Sequence, residues 1–371
     1  MITLEEEEVY MSRYVVFGGF LGSGKTTSMM AFSDVLKKQG KKPAILVNDL
    51  GARNLVDGSF TEQQGYLSEN ITGDCICYQT ENLVDKLRRF RDRDQADLIF
   101  SDIPGCGIGA LDHVYHKLDR EYHGEFELCP FTAVVDPERL RVIMPEHADL
   151  NLPSEMEYLF DAQLKEAEVI LLNKIDLLTP EKTREIVDFL KSGYPEAEVF
   201  AVSAKEGTGL EEAIGYLMTH DSKLLNPDIG YGGKEFIAAE LTMSWYNRQF
   251  YVKGGMFDGN EFTARFMDNI RDGLKLASRN VPHLKAMGED AHGRFLKVSL
   301  IGVDYALEWA EKLPERTPSL KMIINARAAC ESDMLDEIMD YALKETVKQY
   351  GLSLKIFFTE CFGMMDEGRT L

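Results

Sequence analysis

The stretch Gly19-Phe-Leu-Gly-Ser-Gly24-Lys25-Thr26 has the spacing GxxxxGK[ST], and its residue types suit one task, the cradling of a chain of phosphates. Small residues let successive backbone N–H groups turn inward, and a following helix adds the positive end of its dipole. Lys25 then reaches the terminal phosphates and the Thr26 hydroxyl ligates magnesium. Gly22, Ser23, Gly24, Lys25, Thr26 and Thr27 are the candidate phosphate contacts. Magnesium needs a second anchor, and Asp102-Ile-Pro-Gly105 offers a DxxG pattern. There the Asp102 carboxylate can hold the metal through water while the Gly105 amide senses the terminal phosphate. Asn173-Lys174-Ile-Asp176 matches NKxD, whose carboxylate accepts both hydrogen bonds from the guanine N1–H and exocyclic amine. Adenine lacks that donor pair and would leave the acceptors unpaired. Ser203, Ala204 and Lys205 fit the companion loop whose backbone meets guanine O6. The implied ligand is GTP with magnesium, and the implied reaction is in-line attack by water. Lys25 and the metal offset the developing charge, and either Asp49 or Asp102 orients the water.

These motifs need rigid supports at set intervals. Apolar runs at 14–17, 44–47, 98–100, 132–135, 169–172 and 199–202 are short, bounded by polar or turn residues, and rich in β-branched or aromatic types, as buried parallel strands are. Helical patterns fall between them. One covers 26–39 and stops at Gly40, one opens with Ser154 and Glu157 as a capping box, and one starts at Thr179-Pro180. The order predicts an α/β fold, a P-loop NTPase with a doubly wound, mostly parallel sheet, whose ligands sit at the carboxyl ends of the strands. We expect this domain over residues 13–220 and a linker over 221–234, where Pro227 and three glycines interrupt both periodicities. A smaller α+β domain then spans 235–371, with strands at 236–243, 250–252, 283–286, 295–301, 320–326 and 354–359 and helices at 261–277, 305–312 and 333–349. It carries no catalytic constellation, so recognition of a client protein is its expected role.

Composition limits the partners. The 371 residues hold 41 Lys and Arg against 62 Asp and Glu, a net charge of -21, which repels nucleic acid and anionic lipid. No apolar stretch reaches the roughly 18 residues that a membrane helix needs, and Glu5 to Glu8 stand where a signal peptide carries basic residues. The expectation is a cytoplasmic protein. Its six cysteines are too few and scattered for a disulfide framework.

Beyond the nucleotide motifs, Val47-Asn-Asp-Leu-Gly51 resembles a VNEFG segment and Thr72-Gly-Asp-Cys75-Ile-Cys77-Tyr78 resembles a GCICC segment. Val134-Val-Asp136 and residues 163–178 add to the likeness. Over residues 13–220 the sequence resembles the CobW-type metallochaperone GTPases, relatives of the urease and hydrogenase nickel-insertion GTPases. The resemblance implies GTP hydrolysis coupled to delivery of a metal or metal-containing cofactor into a client, a metalloenzyme or corrinoid protein, with nucleotide-dependent homodimerisation. Tyr78 replaces one thiolate of the family's CxCC, Asp49 and Asp102 stand where the family has Glu, and the His-rich tract is absent. Residues two apart on an extended chain share a face, so Cys75 and Cys77 could bind one zinc or cobalt ion. The third ligand would be Asp49, carried over from the VNEFG-like segment, or Cys106. His113 and His116 share a helix face and add a further candidate pair. Two other readings stand beside this one: a regulatory GTP switch that binds a partner without carrying metal, its cysteines serving only packing, and a chaperone for a corrinoid enzyme.

Overall fold

The computed structural model describes residues 11–51, 56–104, 107–144, 155–281 and 283–363. The expected capping residue Ser154 lies outside them, as do Gly105 and Cys106. The chain divides into two compact units, one built from residues 1–50, 65–140 and 162–229 and the other from 51–64, 141–161 and 230–371. In chain order, the elements through residue 219 are β1 (Arg13–Gly19), α1 (Lys25–Lys38), β2 (Pro43–Asp49), α2 (Val56–Gln63), β3 (Ser68–Thr72), α3 (Thr80–Asp92), β4 (Leu98–Asp102), α4 (His116–Glu121), β5 (Glu127–Leu128), β6 (Thr132–Val135), α5 (Pro137–Leu140), α6 (Glu155–Glu166), β7 (Val169–Leu172), α7 (Pro180–Gly193), β8 (Glu198–Ala201) and α8 (Leu210–Thr219).

In the first unit the strands pair in parallel in the order β3-β2-β4-β1-β6-β7-β8, with the short β5 also against β1. This is the doubly wound sheet expected, and its apolar runs follow from burial on both faces. Successive residues of β1 serve opposite sides. Tyr14 and Val16 join Leu46, Ile99, Leu83 and Leu87 in one apolar cluster, while Val15 and Phe17 join Phe32, Phe100, Leu171 and Leu217 in another. Phe17 meets Phe32 and Phe100 edge-on, with ring centroids 5.9 and 5.6 Å apart. The anticipated start of α7 is also present: Thr179 caps the helix by accepting from the Lys182 N–H, with Pro180 at the first turn.

The second unit contains α9 (Lys234–Leu241), β9 (Ser244–Phe257), α10 (Gly259–Leu276), β10 (His283–Asp290), β11 (Phe295–Leu300), β12 (Glu308–Glu311), β13 (Thr317–Ala328), α11 (Ser332–Gln349) and β14 (Ser353–Gly363). The six strands form an antiparallel sheet in the order β12-β11-β10-β13-β9-β14. Helices α10 and α11 supply Phe262, Phe266, Ile270, Met339 and Leu343 to a core that includes Tyr246, Phe250, Leu284 and Ile324 from the strands. The α+β expectation holds for this region, with two corrections. The strand expected at 236–243 is the helix α9. Its Ala-Ala-Glu-Leu run is made of strong helix formers, and its buried residues Phe236 and Ala239 stand three apart, a helical spacing. The helix expected at 305–312 is instead the edge strand β12, where pairing of Trp309 with Val298 overrides local helix propensity. The expected strand at 250–252 is the middle of the much longer β9.

Candidate functional site

Backbone geometry shapes the loop between β1 and α1. Gly19 and Gly24 hold φ of 104° and 100°, in the left-handed region that side chains disfavour. A Cβ at Gly19 would meet the Val134 carbonyl oxygen at 2.2 Å, and one at Gly24 would meet Asn173 Nδ2 at 2.5 Å. Both positions therefore require glycine for conformation and for space. Helix α1 starts with no capping side chain and no acidic residue in its first turn, which leaves its N-terminal dipole uncompensated by the protein. Lys25 curls back over the loop and donates from Nζ to the carbonyls of Gly19 at 2.8 Å and Phe20 at 3.1 Å. Ser23 and Thr26 are buried, Gly22 is half-buried, and Thr27 faces outward.

Strand pairing sets the carboxylates. Phe17 registers with Asp102, so Asp102 closes β4 beside the end of β1 from which the phosphate loop departs. It is buried, and its Oδ1 accepts the Asn48 N–H at 2.8 Å. Asp49 closes β2 and is half-buried. The Thr26 hydroxyl and the Asp102 carboxylate are hard oxygen donors, a donor chemistry that fits magnesium. The DxxG glycine, Gly105, lies outside the described residues, so only the Asp102 half of that motif is placed.

At the far side of the loop, Asn173 is a brace. Its Nδ2 donates to the Ser23 carbonyl at 2.8 Å, and its Oδ1 accepts the Ala204 N–H at 3.0 Å. Three loops that are distant in sequence thus meet on one amide. Lys174 adopts φ of 63°, which turns the chain so that Asp176 lies within reach of Ser203, whose hydroxyl donates to Asp176 Oδ1 at 2.7 Å. Lys205 follows in an exposed turn closed by a bridge between Ser203 and Thr208.

The cysteine turn is braced by a side chain, Asn48, that the sequence motifs alone did not single out. Asn48 accepts the Ile76 N–H at 3.0 Å on Oδ1 and donates from Nδ2 to the carbonyls of Asp74 at 2.9 Å and Ile71 at 3.4 Å. Its own N–H is the one that reaches Asp102, so one residue joins the candidate magnesium carboxylate to the turn carrying Cys75 and Cys77. Asp74 Oδ1 accepts the Cys75 N–H at 2.7 Å, and Gln79 donates to the Asp74 carbonyl at 3.0 Å. The only signal in the sequence was the position of Asn48 inside the segment 47–51.

The two thiols lie 3.0 Å apart. The hydrogen bond with Cys75, burial, and the neighbouring Cys75 and Glu166 charges push the Cys77 thiol well above its ordinary value. Two thiolates this close repel each other, and a bound cation is what would let both deprotonate. Among the described residues no third His, Cys, Asp or Glu completes a metal-binding group with them. Asp49 is thus not brought into a set with the pair, and Cys106 lies outside the described residues. The histidine pair is not gathered here either: His116 Nε2 sits 3.1 Å from the Leu225 carbonyl, and the His113 ring packs near Tyr78, with centroids 6.2 Å apart. Glu166 is a further residue that the motifs missed. It accepts the N–H groups of Gly109 at 2.8 Å and Leu111 at 2.6 Å, and burial pushes its carboxyl up to about 7 against those two bonds.

A parallel sheet with a glycine-shaped loop between its first strand and helix, and an aspartate closing the adjacent strand, defines a P-loop NTPase. Residues 13–201 match the family described as CobW/HypB/UreG, nucleotide-binding domain, and the chain belongs to that family. It is 29% identical over 178 residues to the zinc chaperone YeiR of Escherichia coli K12, covering 47% of this chain and 50% of that protein. It is 28% identical over 265 residues to the zinc-regulated GTPase metalloprotein activator 1 of Dictyostelium discoideum, covering 60% and 55%. The chain spans about half the length of these curated relatives. Among solved structures, Zn(II)-bound YjiA GTPase from E. coli matches at 17% identity with a TM-score of 0.39, over 91% of this chain and 99% of that one. No helix among the described residues is long and apolar enough to cross a membrane.

Proposed function

We propose that this protein is a GTP-hydrolysing metallochaperone in which the nucleotide state sets the geometry of a thiol metal site, and that zinc is the metal it handles. One observation carries the reading: Asn48 binds Asp102 through its backbone and the cysteine turn through its side chain. A shift at the carboxyl ends of β2 and β4 on phosphate binding or release therefore reaches Cys75 and Cys77 through one residue. Both curated relatives named above are called zinc proteins, which supports the choice of metal.

Asp176, oriented by Ser203, reads the guanine edge, with the Ala204 and Lys205 backbone beside it and Lys174 flanking the base. Asn173 positions both this loop and the phosphate loop. When bound, magnesium neutralises phosphate charge, and Thr26 and Asp102 are the residues that would hold it. Lys25 leaves its carbonyl partners to meet the terminal phosphate and stabilises the charge that develops as water attacks in line and GDP departs. With buried Asp102 assigned to magnesium, half-buried Asp49 at the end of β2 is the carboxylate that orients the water. The second domain recognises the client.

The test is a competitive zinc and cobalt titration of the reduced protein in its GTP-analogue and GDP forms, beside a Cys75→Ser/Cys77→Ser variant. Zinc affinity should need both thiols and differ about tenfold between nucleotide states, a common size for coupled sites. Affinity indifferent to the double substitution would falsify the metal reading. A second reading, a GTP switch that binds a partner without metal, is favoured by the burial of Cys77 in the same apolar cluster as Ile76 and Leu83. On that reading Cys77→Ala leaves both zinc content and GTP turnover unchanged.

A further inference from the structure

Residues 51–64 belong to the second unit, although they lie in sequence between β2 and β3 of the nucleotide sheet. The helix they form, α2, has the sequence VDGSFTEQ. It is a single short helix with a glycine and three β-branched or hydroxyl residues, far below the roughly 12 to 15 residues that hold a helix in isolation. Its partners must sustain it.

Those partners form one built surface. Lys285, Asn325, Asn247 and Glu360 register with one another across β10, β13, β9 and β14, so they share one face of the sheet. The apolar residues that meet α10 and α11, such as Leu284, Ile324, Tyr246 and Phe250, alternate with these and point the other way. On the polar face the Val56 N–H donates to Asn325 Oδ1 at 2.9 Å, Asn325 donates to Asn247 Oδ1 at 2.8 Å, and Asn247 donates to Glu360 Oε2 at 3.0 Å. The Asp57 carboxylate sits between two lysines. Lys285 donates to Oδ2, and Lys297 Nζ lies 3.3 Å from Oδ1. Side-chain exposure is 16% for Asp57, 18% for Lys285 and 8% for Lys297. Lys297 also lies 3.7 Å over the Phe60 ring, which meets Phe295 edge-on. Burial pushes the Asp57 carboxyl up, but the charges of Lys285, Lys297 and His283 outweigh it and hold the group below the usual carboxylate range. Burial brings Lys297 down to about 8, with Asp57 opposing the fall. Two ammonium groups this poorly solvated need an anion, and removing it would strand both.

We propose that this polar sheet face is a receptor for helix α2, with Asp57 as its key, and that through it the second domain reads the nucleotide state. This rests on the GTPase reading above. In P-loop proteins the segments after the carboxyl ends of the strands are those that phosphate orders and releases. Asp49 closes β2 on one side of this segment, and the turn carrying Cys75 and Cys77 follows β3 on the other. Strain at either end bears on a helix too short to persist undocked, so the device is an order-to-disorder switch whose charged contact, Asp57 with its two lysines, adds to those of Val56 and Phe60.

The experiment is hydrogen–deuterium exchange on the full chain, saturated with GTP analogue or GDP, for wild type, Asp57→Asn and Lys285→Met. Nucleotide titration and circular dichroism run on each sample. In wild type, exchange in α2, β10 and β11 should differ between the two nucleotide states by about tenfold. In both variants that difference should vanish from β10 and β11 while it persists in the β1–α1 loop and nucleotide affinity is kept. Lys285→Met attacks the latch from the opposite side, so a folding defect peculiar to one variant does not decide the outcome. A difference in β10 and β11 that survives both substitutions overturns the proposal, as does a wild type with none. If wild type binds neither nucleotide, the GTPase reading fails first, and the titration reports that separately.

Discussion

The phosphate loop and the cysteine turn follow β1 and β3 of the same parallel sheet, with β4 and β2 between them, and are specified in opposite ways. In the loop the demands fall on the backbone: Gly19 and Gly24 carry positive φ and leave no room for a Cβ. Specification of this kind is local and writes itself as spaced glycines. In the turn the demands fall on side chains, chiefly Asn48, which supplies the bonds to Asp74, Ile71 and Ile76, with Asp74 and Gln79 beside it. A backbone-specified site tolerates little change inside its own motif. A site braced chiefly by one amide is vulnerable at a position that carries no chemistry itself.

The largest effect tests the loop. Lys25→Ala removes the ammonium group that meets the terminal phosphate, and hydrolysis should fall on the order of a thousandfold with the fold intact. A single-turnover assay with saturating GTP checks this, and a loss under tenfold would remove Lys25 from the chemistry. Next comes the buried carboxyl beside the turn. Burial raises the folded Glu166 pKa from 4.5 to about 7, so in that window the folded state binds more protons than the unfolded state. Stability from this group is therefore fully present below pH 4.5 and is lost as pH rises through 7, by about 3 kcal/mol. Glu166→Gln does not titrate, so its stability relative to wild type should climb by that amount from pH 4.5 to 8 in denaturant melts of the chelator-treated protein. A pH-independent gap would mean that Glu166 is ionised throughout. The third prediction returns to the loops: Asp176→Asn should weaken GTP and favour xanthosine triphosphate, on the order of a hundredfold in relative affinity. Unchanged GTP binding would show that Ser203 and Asp176 do not form the base-reading edge.

The same contrast explains what could be read from the sequence. Six strands of the parallel sheet were legible as apolar runs because nearly all of their residues are buried. Strand β3, with the polar sequence SENIT at the sheet edge, gave no such run. The phosphate and NKxD loops were legible because their constraints lie within a few residues. Asp57 was not, since its meaning depends on Lys285 and Lys297, more than two hundred positions away. Segments α9 and β12 depart from the sequence expectation in opposite directions: in α9 strong helix formers prevail over a strand pattern, and in β12 an edge pairing overrides helix propensity. Asn48 was visible as part of a motif, but nothing local told that its two ends serve different sites.

Asn48→Ala separates those two ends and so gives the sharpest version of the comparison, although its effect is the smallest. The variant keeps the backbone N–H that reaches Asp102, so GTP binding and hydrolysis should change less than tenfold. It deletes the amide that holds the cysteine turn and leaves the Ile76 N–H without that acceptor, at a cost of about 2 kcal/mol. Alkylation of the half-buried Cys75 thiol, timed in GTP-analogue and GDP forms, reads the coupling directly. Wild type should show rates about tenfold apart, and Asn48→Ala should show one rate in both. If the variant kept the difference, the signal would reach the turn by another route, and the two sites would be neighbours without being joined at Asn48.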